Sequence, residues 1–383
     1  MSEIDRELEL LKKMLSNDDI EEIWINGPGL PVFIWHRKRG MINTGYKLSR
    51  DAIITFAKSV ASMSGRPLSE ETPLLDASLR TGDRVAIALP PVSPRGPSIT
   101  IRKFRRKLYS IVELIENGTI NDLVGGFLWV AVEGLRVRPL NTLIIGGTAS
   151  GKTTLLNAIC TFIPSNERVI TIEDTRELNL SFIPNWEPLE AKPSYTGERG
   201  VTMDDLLRHA LRKRPNRVIV GEVRGSEATT LLQAMNIGHL GSMGTLHANS
   251  AKDAITRLTS PPMSVPFEMI GVLDLIVCLR VWFTRGGTII RRVSEIYAVG
   301  GLGEKKPTMD PIFKYDFTSD KIVMEAYPYL AYEKIAEVLL ISPKEIEKEV
   351  ERRASILRNM VKSGIRSVVD TRRIFERYYE ENI

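Results

Sequence analysis

A chain of 383 residues, 43% hydrophobic and 26% charged, is long enough for two or three domains and apolar enough to bury a core in each. Its two cysteines, Cys160 and Cys278, stand inside apolar runs, which excludes a disulfide framework and a cysteine-rich zinc site and fits a reducing cytoplasm. The net charge of +5 is spread along the chain, so charge alone does not point to nucleic acid.

The opening MSEIDRELELLKKML mixes charges at helical spacing and lacks the apolar centre and cleavage motif of an export signal. Short β-like runs follow, IEEIWI, PVFIWH, RVAIALP and SITIRKF, punctuated by NGPG, TGD and PPVSPRGP. Among them SRDAIITFAKSVASMSG reads as an amphipathic helix. Ser49 is its cap, Ile53, Ala57, Val60 and Ala61 its apolar stripe, and Gly65 its stop. Residues 1–105 are therefore expected to form a small α+β domain, with residues 106–122 a basic linker leading into a helix.

From 123 to about 300 the pattern changes to buried apolar strands followed by polar loops and helices. TLIIGG, RVITIED and NRVIVGE are short β-branched runs ending in glycine or acid, as in a mostly parallel sheet covered by helices with functional groups at the strand C-termini. The longest apolar stretch, near Ile270–Phe283, is interrupted by Asp274 and Arg280 and falls short of the roughly 20 residues that span a bilayer. Membrane contact is thus expected to be peripheral. In residues 301–383, a mainly helical segment is expected from the capping box at Ser342-Pro343-Lys344-Glu345 and the apolar side of Ile346, Val350, Ile356, Leu357, Met360 and Val361 before Gly364.

The strongest local signal is GGTASGKTT, which satisfies G-x-x-x-x-G-K-[ST] after the strand Leu143-Ile144-Ile145 and before the helical run LLNAI. Such a loop turns successive N–H groups of Gly146, Gly147, Thr148, Ala149, Ser150 and Gly151 toward phosphate oxygens. Lys152 then bridges the outer phosphates, Thr153 ligates Mg²⁺, and Thr154 opens the helix. A P-loop alone does not separate kinase, GTPase, transporter ATPase and motor. Two acidic clusters after apolar strands narrow the choice: Glu173, Asp174 and Glu177 in ITIEDTRELNL, and Glu222 in VIVGEVRG. Carboxylates at such places hold magnesium and its water shell and position an attacking water, although each could also be a strand-end ion pair.

P-loop, acidic box, VGEVRG and GTLHANS in this order resemble the ATPases of type II secretion, type IV pili, archaella and type IV secretion. The resemblance covers about 300 residues, and SPRGPSITIRKF, TASGKTTLLNA, IEDTRELNL and SPPMSVPFEMIGVLDLIV look most like archaeal members. It implies an α/β fold with a RecA-like P-loop domain, ATP and Mg²⁺ as substrate and cofactor, and a cytoplasmic homohexamer working with a polytopic membrane platform protein. On that resemblance Glu177 is the water-activating glutamate and Glu222 the Walker B acid that reaches Mg²⁺ through water. His247 reads the γ-phosphate, and His239 is either its sensing companion or a core histidine. Arg102 and Arg105 reach bound nucleotide or are a solvated strand end. Two histidines without a third ligand are too few for zinc, and nucleic acid is not the expected partner, since no aromatic stacking segment accompanies the basic residues. Asn216 in RPNR departs from the aspartate usual in the family, so the role of that position is open. A pilus-retraction or DNA-uptake motor is the alternative within the superfamily, and a nucleic-acid translocase the more distant one.

Overall fold

The computed structural model describes residues 2–79, 81–104, 108–192, 200–283, 288–302 and 307–382. They divide into two units, Met1–Lys107 with Phe283–Ile289, and Leu108–Trp282 with Ile290–Ile383.

In the first unit α1 (Glu3–Ser16) and α2 (Arg50–Ser64) pack with six strands, β1 (Ile20–Ile25), β2 (Pro31–His36), β3 (Gly40–Lys47), β4 (Leu74–Ser78), β5 (Arg84–Ala88) and β6 (Ser98–Arg102). Their order is β3-β2-β1-β6-β5-β4, and each adjacent pair is antiparallel. The alternation in IEEIWI and SITIR puts Ile23, Ile25, Ile99 and Ile101 on one buried face, where Ile53, Ala57 and Val60 of α2 meet them. Ser49 caps α2 through Ala52 N–H and Gly65 ends it in the left-handed conformation, as the punctuation requires.

The second unit begins inside the stretch expected as a linker. Ser110 and Glu113 form a capping box for α3 (Ile111–Glu116), whose Ile111 and Val112 are fully buried, and the apolar α4 (Asp122–Glu133) follows. Then come β7 (Thr142–Gly146), α5 (Lys152–Ile159), β8 (Val169–Glu173), β9 (Trp186–Glu190), α6 (Met203–Ala210), β10 (Arg217–Val223), α7 (Glu227–Asn236), β11 (Met243–His247), α8 (Ala251–Thr259) and β12 (Leu275–Phe283). These strands lie in the order β12-β7-β11-β10-β8-β9, all parallel. Successive side chains leave opposite faces. Ile144 enters the cluster with α4 and α5, whereas Leu143 and Ile145 enter the cluster with α6, α7 and α8, which is why these strands read as continuous apolar runs.

The sheet extends through β13 (Ile289–Leu302), β14 (Pro307–Asp316) and β15 (Lys321–Met324) before α9 (Tyr329–Leu339), α10 (Pro343–Lys362) and α11 (Val368–Glu381). The helical end segment is therefore preceded by a hairpin, signalled by alternation on either side of FTSD. Helices α10 and α11 close over α4. Trp129 stacks on Phe162 with ring centroids 5.4 Å apart, its indole N–H donates to Tyr379 Oη at 2.7 Å, and Tyr379 donates to the Phe162 carbonyl at 2.8 Å.

Beside Trp129, Arg353 and Glu133 pair at 2.9 Å with side chains only 3% and 2% exposed. Arg353→Ala would leave the buried carboxylate only the more distant Arg136 at 3.9 Å and the Leu135 N–H at 3.1 Å, and is expected to destabilise the unit by about 3 kcal/mol. Chemical denaturation would show this as a lowered midpoint, with much of it recovered when Glu133 is also replaced by leucine.

Candidate active site

The strand β7 ends at Gly146, and the loop to α5 needs two left-handed residues, Ala149 at φ 58° and Gly151 at φ 99°. The reversal brings the start of α5 back under the loop, and no side chain caps that helix. Its first N–H groups, which have no partner within the helix, therefore face the loop and suit an anion. Lys152 folds into the same turn, its ammonium donating to the Gly146 and Gly147 carbonyls at 3.1 and 3.0 Å.

Parallel pairing sets His247 beside Gly146. The Lys152 ammonium lies 3.4 Å from His247 Nδ1 and 3.3 Å from Nε2, and His247 Nε2 lies 3.2 Å from Glu222 Oε1. Burial and the Lys152 charge hold the imidazole below its ordinary pKa, against the pull of Glu222. A neutral ring satisfies both neighbours when Nε2–H donates to Glu222 and Nδ1 accepts from Lys152, a tautomer set by the network. Burial would raise Glu222, but its hydrogen bond to Arg224 at 2.6 Å, with the charges of Arg224, His247 and Lys152, leaves it below the usual range. An ionised carboxylate, a neutral imidazole and an ammonium thus line up across β10, β11 and the loop after β7.

At the start of α5, the Thr153 hydroxyl donates to Glu177 Oε2 at 3.2 Å. These hard oxygen donors beside an uncapped helix suit Mg²⁺ with a phosphate chain. Asp174 is half exposed and 3.7 Å from Arg224. Glu173 behaves differently: it is 2% exposed, and its Oε1 accepts from the N–H groups of Glu177 and Leu178 at 2.8 and 2.9 Å. It was expected to contact nucleotide, but its carboxyl turns into the protein because it ends a strand whose neighbours are all buried.

His239 lies away from this cluster. It precedes β11 while His247 ends it, a separation of roughly 3.3 Å per residue along the strand, and its Nδ1 donates to the Pro215 carbonyl at 2.9 Å. Within the chain it ties the entries of β10 and β11 together and does not reach the P-loop. Asn216 sits at the same edge, accepting from Arg168 N–H at 2.8 Å, a bond that aspartate would also make. Arg102 ends β6 in the first unit, largely exposed and 4.0 Å from Glu22, and Arg105 lies outside the described residues.

Several groups at the P-loop were not singled out from sequence. Arg291 donates from Nε to the Ala149 carbonyl at 2.9 Å, the Asn249 carboxamide oxygen faces Gly147, and Asn157 donates to the Thr153 carbonyl while accepting from Asn179 N–H. The Asn249 position two residues past His247 in GTLHANS was the available signal; Arg291 had none beyond its basic pair with Arg292.

Burial, with the nearby Glu177 charge adding to it and two N–H donors and Arg176 opposing it, pushes Glu173 up to about 7 from 4.5. The folded chain thus keeps a proton that the unfolded chain releases, so this contribution to stability is complete below about pH 4.5 and lost as pH rises through about 7. Thermal unfolding followed across that window should show a falling midpoint for the wild type and a flatter profile for Glu173→Gln.

The family model described as type II/IV secretion system protein matches residues 53–282. Among curated relatives, uncharacterized protein MJ0781 of Methanocaldococcus jannaschii is 45% identical over 241 residues, 62% of this chain and 33% of the relative. Uncharacterized protein MJ0900 of the same organism is 34% identical over 95% of this chain and 66% of the relative. The chain thus spans a third of the length of the first and just under two thirds of the second. Type IV secretion system protein PtlH of Bordetella pertussis is 34% identical over 78% of this chain and 96% of its own. Two solved structures share the fold: the ATPase DotB of Legionella pneumophila, TM-score 0.53 at 18% identity over 94% of this chain and 87% of that one, and the pilus retraction motor PilT with bound ADP, TM-score 0.53 at 20% identity over 87% and 88%. With the family model matching more than half of its residues and PtlH matched nearly end to end, the chain belongs to the type II/IV secretion system protein family.

Proposed function

We propose that the chain is a Mg²⁺-dependent ATPase that acts as a homohexamer on the cytoplasmic face of a membrane, driving assembly or secretion through a polytopic platform protein. The observation that carries the catalytic part is the convergence at the P-loop of two groups, Lys152 with His247 and Glu222, and Thr153 with Glu177. Thr153 would hold Mg²⁺ directly and Glu222 through water. When bound, the ion supplies neutralisation of phosphate charge. Lys152 is placed to exchange its carbonyl contacts for phosphate oxygens, and the uncapped start of α5 adds backbone donors. Glu177 is the base that takes a proton from the attacking water. The His247 ring, wedged between Lys152 and Glu222, reports the state of the outer phosphate to β10.

The secretion or pilus role is supported by family membership and by PtlH being a type IV secretion system protein. Release of phosphate contacts after hydrolysis would free the elements held on either side of the nucleotide, and a ring would convert that release into movement. Arg102 and Arg105 are proposed to enter a nucleotide site as cationic groups that stabilise developing phosphate charge.

Lys152→Ala is expected to abolish ATP turnover with thermal unfolding unchanged, and Glu177→Gln to bind Mg-ATP while turnover drops about 10²–10⁴-fold, the range for loss of a general base. Steady-state phosphate release and nucleotide titration measure both. Near-normal turnover in Lys152→Ala would remove the P-loop from the reaction.

Mixing Arg102→Ala/Arg105→Ala chains with Lys152→Ala chains tests the ring. If an arginine serves a neighbour's site, mixed hexamers regain activity that neither parent has. Absence of recovery in rings verified by mass spectrometry would mean that the arginines act within their own chain or serve only the interdomain interface.

A further inference from the structure

Glu173 is a buried acid of the candidate site for which the reaction proposed above has no use. It is 2% exposed, its Oε1 accepts two backbone hydrogen bonds, and its Oε2 is buried without a partner among the described residues. Burying a half-satisfied carboxyl is costly, so what its satisfied oxygen holds matters. Both bonds go to the turn that carries Glu177, one to the N–H of Glu177 itself and one to that of the fully buried Leu178.

We infer that Glu173 is a positioning residue for Glu177, acting by gathering the N–H groups of Glu177 and Leu178 onto one oxygen and not by touching nucleotide or metal. The inference rests on the assignment of Glu177 as the base. Three contacts then place that base: Glu173 holds its backbone from the β8 side, Asn157 of α5 holds the next stretch through Asn179 N–H at 2.9 Å, and the Thr153 hydroxyl holds its carboxylate at 3.2 Å. Leu178 buries its side chain and pins the turn to the core. Removing the first contact frees the backbone at the one residue whose side chain must meet an attacking water.

A second residue belongs to the device. On β10, paired alongside β8, Gly221 of VGEVRG lies against Glu173. A Cβ there would sit 2.7 Å from Glu173 Cγ and 3.0 Å from Oε1, closer than packed atoms tolerate. Gly221 has no left-handed φ that would call for glycine, so the space taken by Glu173 is the reason for it. The glycine before the Walker B acid and the first glutamate of the acidic box are thus two halves of one fit. The raised pKa agrees with this use, because an acid carrying its proton on Oε2 leaves Oε1 as acceptor and keeps a second negative charge away from Glu177.

The test compares Glu173→Ala, Glu173→Gln, Gly221→Ala and the Glu173→Ala/Gly221→Ala double variant in the full chain, each first shown to be folded by its unfolding transition. Three quantities are read: kcat, Mg-ATP affinity, and hydrogen exchange at the Glu177 and Leu178 amides without nucleotide. Glu173→Ala should lower kcat by about a hundredfold, the scale of a misplaced catalytic group, with affinity unchanged and both amides losing protection. Glu173→Gln keeps the carbonyl acceptor and should keep most of the turnover and the protection. Gly221→Ala should resemble Glu173→Ala, and in the double variant the two effects should not add, since the alanine at 173 removes the atoms that the new methyl meets.

Unchanged exchange in Glu173→Ala overturns the inference. So does a loss of Mg-ATP affinity that matches the loss of kcat, which would place Glu173 at the ligand. Loss in Glu173→Gln equal to that in Glu173→Ala would show that the charge matters and not the acceptor, and overturns it as well. A wild type that does not hydrolyse ATP defeats the ATPase reading instead, and the exchange measurement still decides whether Glu173 holds the turn.

Discussion

The parallel pairing of β7, β11 and β10 is the constraint on which the site depends. Because Gly146 lies beside His247 and Leu246 beside Val223, three motifs spread over about a hundred residues end at one edge of the sheet. A shift of one residue between β7 and β11 would turn His247 to the opposite face, and the apolar runs oppose it, since both faces are buried and each residue has a cluster on only one side. Between β10 and β11 the register does shift, after Val220 and before Val223, so that Glu222 stands in the irregular stretch at the end of its strand.

The same sheet separates the site from the anchoring of the tail. On the face of α4 and α5, the aromatic group around Trp129 joins α11 to the turn that follows the P-loop helix, and Arg372 adds a hydrogen bond to the Thr161 carbonyl at 2.6 Å. A guanidinium at those carbonyls compensates the negative end of the helical segment begun by α5, as cations do at helix C-termini. The far end of α5 is therefore held by protein while its near end is left uncapped, an asymmetry that keeps the N–H groups of the P-loop side available.

Much of this was legible in the sequence because the signals are local. The P-loop needs its glycines, lysine and threonine at fixed spacing, and Ser49 and Ser342 carry their helix boundaries in side chains that bond three residues on, whereas the same device at Ser110 lay hidden in a stretch whose basic residues read as a linker. What was not legible depends on which way a side chain turns at a strand end. Glu173 and Asp174 are adjacent acids in one motif, yet one is buried and the other exposed, because β8 buries both of its faces up to Glu173 and leaves the sheet immediately afterwards. His239 and His247 share a motif as well, but the strand between them carries them to opposite edges. Arg291 reaches the P-loop from β13, and no spacing along the chain predicts a contact between residues 142 positions apart.

The three glutamates show why residue type does not settle role. Glu222 is half-buried but shares its edge with Arg224, Lys152 and His247, and the opposing charges outweigh desolvation. Glu173 is more deeply buried and has only backbone donors on one oxygen, so desolvation prevails and its pKa rises. Glu177 is held by the Thr153 hydroxyl. Environments that push acids apart in this way let neighbouring carboxyls serve different ends at one pH. Here Glu173, turned away from the loop, acts through the backbone it holds, and Glu222, paired to Arg224, is suited to attract cation and water, while Glu177 keeps a carboxylate oxygen at the P-loop threonine. The contrast between Glu173 and Glu222 follows from the charges beside each and from depth of burial, two properties of the fold and not of the motif letters.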